Sequence, residues 1–305
     1  MRTRWTRTAL GITAVAALLT SCAAEAAEAP DLSAVPTDRV ADEIFQSDAI
    51  DLIEYVRNRL TADCMDEQGY PQLKRTRLST RTKPFTDMDV RPPLFTTRTD
   101  EQAALYGFGE NRAPESANVL SHDRGFDRRL DTCQDAAGRR LGPEFDKVQN
   151  QSYQLYNDVA DERDALLKTP EETAVTAAAL RPMLACVENT GFRQRTSGAR
   201  DLDAFGIGRP TGRYEGAEPP DPRAVPGTVE ILPAVPERRY VPTAEESRLA
   251  VAAARCARET GFGEKITAQR VRVLRVVVAG HAAEVGELRP QVEEMAKTAA
   301  KLEGR

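Results

Sequence analysis

Cys186-Val-Glu-Asn-Thr-Gly-Phe192 and Cys256-Ala-Arg-Glu-Thr-Gly-Phe262 lie 70 residues apart and carry nearly the same pattern. Two more cysteines share it: Cys64 opens Cys-Met-Asp-Glu-Gln-Gly-Tyr and Cys133 opens Cys-Gln-Asp-Ala-Ala-Gly-Arg. All four read Cys-x4-Gly, and all but Cys133 continue with an aromatic residue. Glycine accepts the left-handed backbone that closes a helix, and the apolar residue after it can pack back on the last turn. The pattern therefore predicts helices that end just past each cysteine, with the sulfur about one turn inside.

Working back in steps of three and four gives Ile53, Val56 and Leu60 before Cys64, and Phe126 and Leu130 before Cys133. Val175, Ala179 and Met183 lie near Cys186, and Leu249 and Ala253 near Cys256. Each cysteine thus sits on or beside an apolar stripe, a placement that suits structural disulfides rather than reactive thiols. Thr169-Pro170-Glu171-Glu172 and Thr243-Ala244-Glu245-Glu246 begin two of these helices with matching capping boxes, Thr at the cap and Glu three residues on.

The spacing repeats at a larger scale. Cys64 to Cys133 is 69 residues and Cys186 to Cys256 is 70, with Tyr106-Gly107-Phe108-Gly109 inside the first interval and Phe205-Gly206-Ile207-Gly208 inside the second. A long amphipathic helix follows each pair, near 143–168 and 264–303. The expected fold is mostly all-α: a tandem duplication with halves at 41–168 and 169–305, each stapled by a disulfide and interrupted by an irregular insert. Four cysteines allow three pairings, and the duplication favours Cys64 with Cys133 and Cys186 with Cys256. A closed loop of that length stabilises by roughly 4 kcal/mol in the chain-entropy model.

The insert at 209–243 holds eight prolines, among them Pro219, Pro220 and Pro222, and reads as extended or polyproline segments rather than strands. Lys74, Arg75, Arg77, Arg81 and Lys83 form a basic cluster in the corresponding stretch of the first half, a solvated loop on the simpler reading or a contact for anionic lipid or wall polymer on the other. The last helix carries a seam through Val271, Leu274, Val278, His281, Val285, Leu288, Val292, Met295, Ala299 and Leu302, with a break expected at Pro290. That seam serves the protein's own bundle on the simpler reading, a partner on the other, and His281 on it reads as a core histidine.

The amino terminus has its own logic. Arg2, Arg4 and Arg7 precede an apolar run from Ala9 to Leu19, the order of an export signal and too short to span a bilayer. Leu19-Thr20-Ser21-Cys22 resembles a bacterial lipobox, in which the cysteine takes a diacylglycerol and becomes the first residue of the mature chain. Residues 1–21 are then a lipoprotein signal peptide and 22–40 a tether. The competing reading is cleavage after Ala24-Glu25-Ala26. Removing 1–21 leaves 39 basic against 47 acidic residues, a net charge of −8 that argues against nucleic acid as a partner.

No catalytic constellation survives inspection. Two histidines without metal-ligand spacing argue against a zinc hydrolase, and no Cys-x-x-Cys pair marks a redox site. Gly206-x-Gly208 has Pro210 behind it and no strand before it, unlike a dinucleotide loop. Asp87-Met88-Asp89 lacks the glycine and glutamate of a calcium loop. Glu115-Ser116 matches the Glu-Ser pair of lytic transglycosylases without the motif that should follow it. No metal and no cofactor are expected.

Taken in order, the lipobox, the Cys64–Tyr70 element, Tyr106-Gly107-Phe108 and the Cys256–Phe262 element resemble a group of uncharacterised lipoproteins of actinobacterial cell envelopes. Cys133, with Arg139 where an aromatic should stand, departs from the pattern. The resemblance implies an envelope location and disulfide-bonded cysteines, and implies no particular activity. The expected function is that of a palmitate-bearing lipoprotein on the extracellular face of the cell membrane, anchored through Cys22. It would act as a non-enzymatic binding or scaffold module for an envelope protein or wall polymer. Tyr106, Phe108, Phe205 and Ile207 are its candidate contact surface. A peptidoglycan-binding or wall-cleaving helical protein and a solute-binding lipoprotein are the alternatives.

Overall fold

The computed structural model describes residues 39–76, 80–195, 201–216, 218 and 225–304. The expected signal peptide, the expected lipidation site Cys22, most of the expected tether, Arg77, and Pro219, Pro220 and Pro222 lie outside them. The described chain is mostly helical, with α1 (Val40–Phe45), α2 (Ser47–Glu67), α3 (Leu94–Thr97), α4 (Asp100–Tyr106), α5 (Arg124–Leu141) and α6 (Phe145–Leu167) in the first part. Then come α7 (Pro170–Asn189), α8 (Ala244–Thr260), α9 (Phe262–Gly280) and α10 (Ala282–Glu303). The short strands are β1 (Asn118–Ser121), β2 (Arg213–Glu215), β3 (Val229–Leu232) and β4 (Arg239–Val241).

Both expected cystines form. Cys64 on α2 is bonded to Cys133 on α5 and Cys186 on α7 to Cys256 on α8, with Cα–Cα separations of 5.7 and 5.6 Å. Three of the four Cys-x4-Gly words close a helix: α2 before Gly69 (φ 92°), α7 before Gly191 (φ 97°) and α8 at Gly261 (φ 62°). The fourth does not. α5 runs through Gly138 and stops at Gly142, because Gly138 faces Phe145 across the α5–α6 corner. A Cβ at 138 would lie 2.9 Å from Phe145 Cδ1, so the glycine there provides room rather than a turn. Gly138→Val should cost about 2 kcal/mol by overpacking, read as a lowered denaturation midpoint.

The stripes behave as the periodicity predicts: of the residues used to draw them, all are buried or half-buried except Val175. They serve two main cores. The first gathers α1, α2, α6, α10, the end of α5 and the second half of α9 around Val56, Phe145, Val159, Leu274 and Val292. The second gathers α7, α8 and the start of α9 with Phe95, Ala103 and Phe108. A small third cluster, with Met65, Leu73 and Phe126, surrounds the Cys64–Cys133 bond. Packing therefore runs across the expected 168/169 boundary in both directions. α10 lies against α2 and α6, while α3 and α4 lie against α8.

Two details of the last helix differ from expectation. The break falls at His281, after Gly280, and α10 continues through Pro290. Gly280 ends α9, where glycine's weak helix preference favours a break although Gly286 inside α10 does not cause one, whereas Leu288 and Val292 on either side of Pro290 are buried and hold that turn in place. The seam itself packs within the protein's own first core.

The prolines of 209–243 do not exclude strands, contrary to expectation. β1 pairs antiparallel with β3, from Asn118↔Leu232 to Ser121↔Val229, and the isolated bridges Glu115↔Val235 and Arg112↔Arg238 continue the same register. β2 pairs with β4, Tyr214 opposite Tyr240. Each ladder has only two strands and uses runs free of proline, so every strand is an edge, where a missing N–H nearby is tolerated.

Three members of the basic cluster, Lys74, Arg81 and Lys83, pair with acids largely of α2. Lys74 Nζ lies 3.1 Å from Asp63 and 2.6 Å from Asp66, Lys83 lies 2.6 Å from Asp48, and Arg81 contacts Asp51 and Glu303.

Candidate functional site

The two matched Thr-x-x-Glu starts make only half of their capping boxes. Thr169 and Thr243 accept from the N–H of Glu172 and Glu246 at 3.4 and 3.2 Å, as caps should. The glutamates, however, turn away into tertiary contacts. Glu172 takes both terminal nitrogens of Arg272, at 2.7 and 2.8 Å, and the amide of Gln269 at 2.9 Å, which ties α7 to α9.

Glu246 is the more deeply placed of the pair, with 4% exposure. Its Oε1 accepts from the Phe108 N–H at 2.8 Å, and its Oε2 accepts from the Thr211 N–H at 2.8 Å and the Thr211 hydroxyl at 3.0 Å. The Tyr240 hydroxyl donates to the same carboxylate, 2.8 Å from Oε2, and accepts from the Gly212 N–H at 2.6 Å. Burial pushes the Glu246 carboxyl up, but these donors pull it further down, below the usual glutamate range. Burial and the facing carboxylate push the Tyr240 phenol up to about 12. Glu246 is therefore an ionised hub that joins α8, the Tyr-Gly-Phe-Gly loop and the proline-rich insert.

Arg98 completes the same region. Its guanidinium donates to the carbonyls of Gly107 at 2.5 Å and Gly109 at 2.6 Å and sits over the Tyr106 ring. Gly107 (φ 56°) and Gly109 are obligatory, because a Cβ on either would collide with Glu246 or with the Tyr240 ring. Arg258 secures the outer side, bonding the Arg98 carbonyl at 2.7 Å and Asp100 at 2.6 Å.

This anchoring corrects the expected contact surface. Phe108, Phe205 and Ile207 are buried in the second core, against the alanine face formed by Ala250, Ala253, Ala254 and Ala257. Small side chains on α8 leave space that aromatic rings fill. Of the four expected residues only Tyr106 reaches the surface, beside Leu94, Gln102 and Glu110 in a shallow depression. Glu115 stands exposed on the β1–β3 ribbon, its N–H on the Val235 carbonyl.

Two concave surfaces stand out. An open groove of about 710 Å³ runs along the α8–α9 corner beside α3, with Ala257, Gly261, Gly263, Ala268 and Val271 as its floor. Arg258 and Arg272, on its rim, are already held by Asp100 and Glu172. α9 buries Ile266, Val273 and Val277 on the far side, so its groove face is a second, partly apolar stripe on one helix. A smaller cleft of about 210 Å³ lies between α6 and α10, with Gln151, Asp158, Glu284, Glu287 and Gln291 over Leu155 and Leu288.

Among the described residues no group of three or more His, Cys, Asp or Glu is arranged to hold a metal ion, and no helix is long and apolar enough to cross a membrane. Sequence reasoning missed Arg98, Tyr240 and the second role of Glu246, and the only signal was the Thr-x-x-Glu motif. Comparison with family models, with curated proteins and with solved structures finds no match to this chain.

Proposed function

We propose that this chain is a lipid-anchored envelope protein, held on the outer face of the cell membrane through Cys22, that works by binding rather than by catalysis. The observation that carries this reading is the division of the five cysteines. Four are consumed in two cystines, a state maintained outside the reducing cytoplasm, and the fifth ends an apolar export-type run. The resemblance to actinobacterial envelope lipoproteins points the same way. A rigid frame with two cross-links presents a broad groove with an apolar floor and a charged rim, a surface suited to a protein partner.

Anchoring is tested by fractionation. Wild-type protein should pellet with membranes and be released by detergent, whereas Cys22→Ala should appear in the soluble fraction or the medium. Equal membrane association of both would reject the anchor. Binding is tested by cross-linking in living cells with an Ala268→Arg variant, whose exposed site leaves folding untouched. Loss of a reproducible cross-linked protein with unchanged thermal stability supports the groove. Recovery of wall fragments alone would favour the polymer-binding alternative.

A further inference from the structure

His281 occupies the one-residue break between α9 and α10, and both of its ring nitrogens face carboxylates. Nδ1 lies 2.7 Å from Glu284 Oε2 on α10, and Nε2 lies 3.1 Å from Glu162 Oε2 on α6. A neutral imidazole has a single N–H, so it can donate to one of these oxygens and must turn a lone pair toward the other. Only the imidazolium donates to both. From α9 the Val277 and Val278 carbonyls accept the His281 N–H, at 3.3 and 3.1 Å. Asp158 and Glu287 stand about one turn further along α6 and α10, and with Glu284 they line the cleft between those helices. His281 is thus the cation set against a row of carboxylates at the end of that cleft.

We propose that His281 is a pH-dependent clasp: protonated, it pins the start of α10 to α6 at the end of the cleft between them, and on losing its proton it releases that end. The break in the helix makes the release local. α10's first turn has no side-chain cap hydrogen bond at its amino end, and its Val285 N–H bonds to the His281 carbonyl. With the proton gone, Glu162 and Glu284 flank a ring that carries no charge to offset theirs.

The sign follows from the balance of forces on the ring. Burial opposes the charge on His281, the two carboxylates outweigh it, and the imidazole's pKa lies above its ordinary value. The clasp's contribution is therefore fully present below the unfolded histidine pKa and is lost as pH rises through the higher folded value.

Hydrogen exchange on the full chain tests this, with rates corrected for intrinsic pH dependence and read for residues 282–288 at pH 6 to 9. Protection of α10's first turn should fall about three- to tenfold across that range in wild type, the scale of one charge-assisted contact partly open to water. In His281→Gln it should be flat, and low throughout. Glu162→Gln, an exposed substitution on α6, should flatten most of the response and keeps the test available if the histidine variant folds poorly. The same decline in all three proteins, or no decline in wild type, overturns the clasp.

Discussion

Glu246→Ala is expected to lower stability by about 3–5 kcal/mol, the range for breaking a buried, hydrogen-bonded charge network. The substitution strands the N–H groups of Phe108 and Thr211 and the hydroxyls of Thr211 and Tyr240, all of which bond to the one carboxylate. It also removes one of the negative charges that act on the buried Arg98 guanidinium, Glu110 being the other carboxylate. Tyr240→Phe removes one donor to the carboxylate and the acceptor of the Gly212 N–H, and should cost only about 1–2 kcal/mol. Denaturant midpoints of the two variants check the ratio, and a loss below that of Tyr240→Phe would show that the hub is not where the structure places it. Because the folded carboxyl titrates below its usual range, its stabilisation is present above the unfolded glutamate pKa and is lost as pH falls through the lower folded value. Acid unfolding of Glu246→Ala should accordingly be less steep than that of wild type.

Replacing Cys186 and Cys256 together by alanine is expected to cost about 4 kcal/mol, since the bond closes a loop of 70 residues. The effect should exceed that of most core substitutions, because the loop holds the proline-rich insert, whose strands pair only in two-stranded ladders. Those ladders are marginal by themselves. Loss of the cystine should therefore expose the insert to limited proteolysis before the α2–α6–α10 core unfolds. A double variant with unchanged thermal midpoint and unchanged cleavage would contradict this account.

Local rules carried much of this fold. Helix ends at Gly69, Gly191 and Gly261 follow from a left-handed glycine one turn past a cysteine, and both cystine pairings follow from the repeat interval. What local rules could not reach were choices settled by distant partners. Gly138 has the same spacing from its cysteine as the other three glycines, and only Phe145 packed against it decides that the helix continues. The Phe-Gly and Tyr-Gly elements could equally face solvent or the core, and the alanine face of α8 draws Phe108, Phe205 and Ile207 inward. α10 reads as the end of the second half, yet its seam matches α2 and α6 of the first. Likewise the register that joins 112–121 to 229–238 is a pairing over more than 100 residues, invisible in the composition of either strand.

The candidate site was legible to a lesser degree. The sequence marks Glu246 as a cap, which it half is, since Thr243 takes the N–H and the carboxylate goes elsewhere. The groove on α9 is hidden by its own regularity: a helix with apolar residues on two faces gives no sign of which one stays open.

Intact mass of the non-reduced protein, extracted by detergent from the membranes of a bacterium that processes lipoproteins, tests the central claim most directly. The account predicts a chain beginning at Cys22, heavier by a diacylglyceryl group and an acyl chain, with Cys64, Cys133, Cys186 and Cys256 refractory to alkylation. A chain that retains residues 1–21, or one with an unmodified Cys22 and four alkylatable thiols, would contradict it.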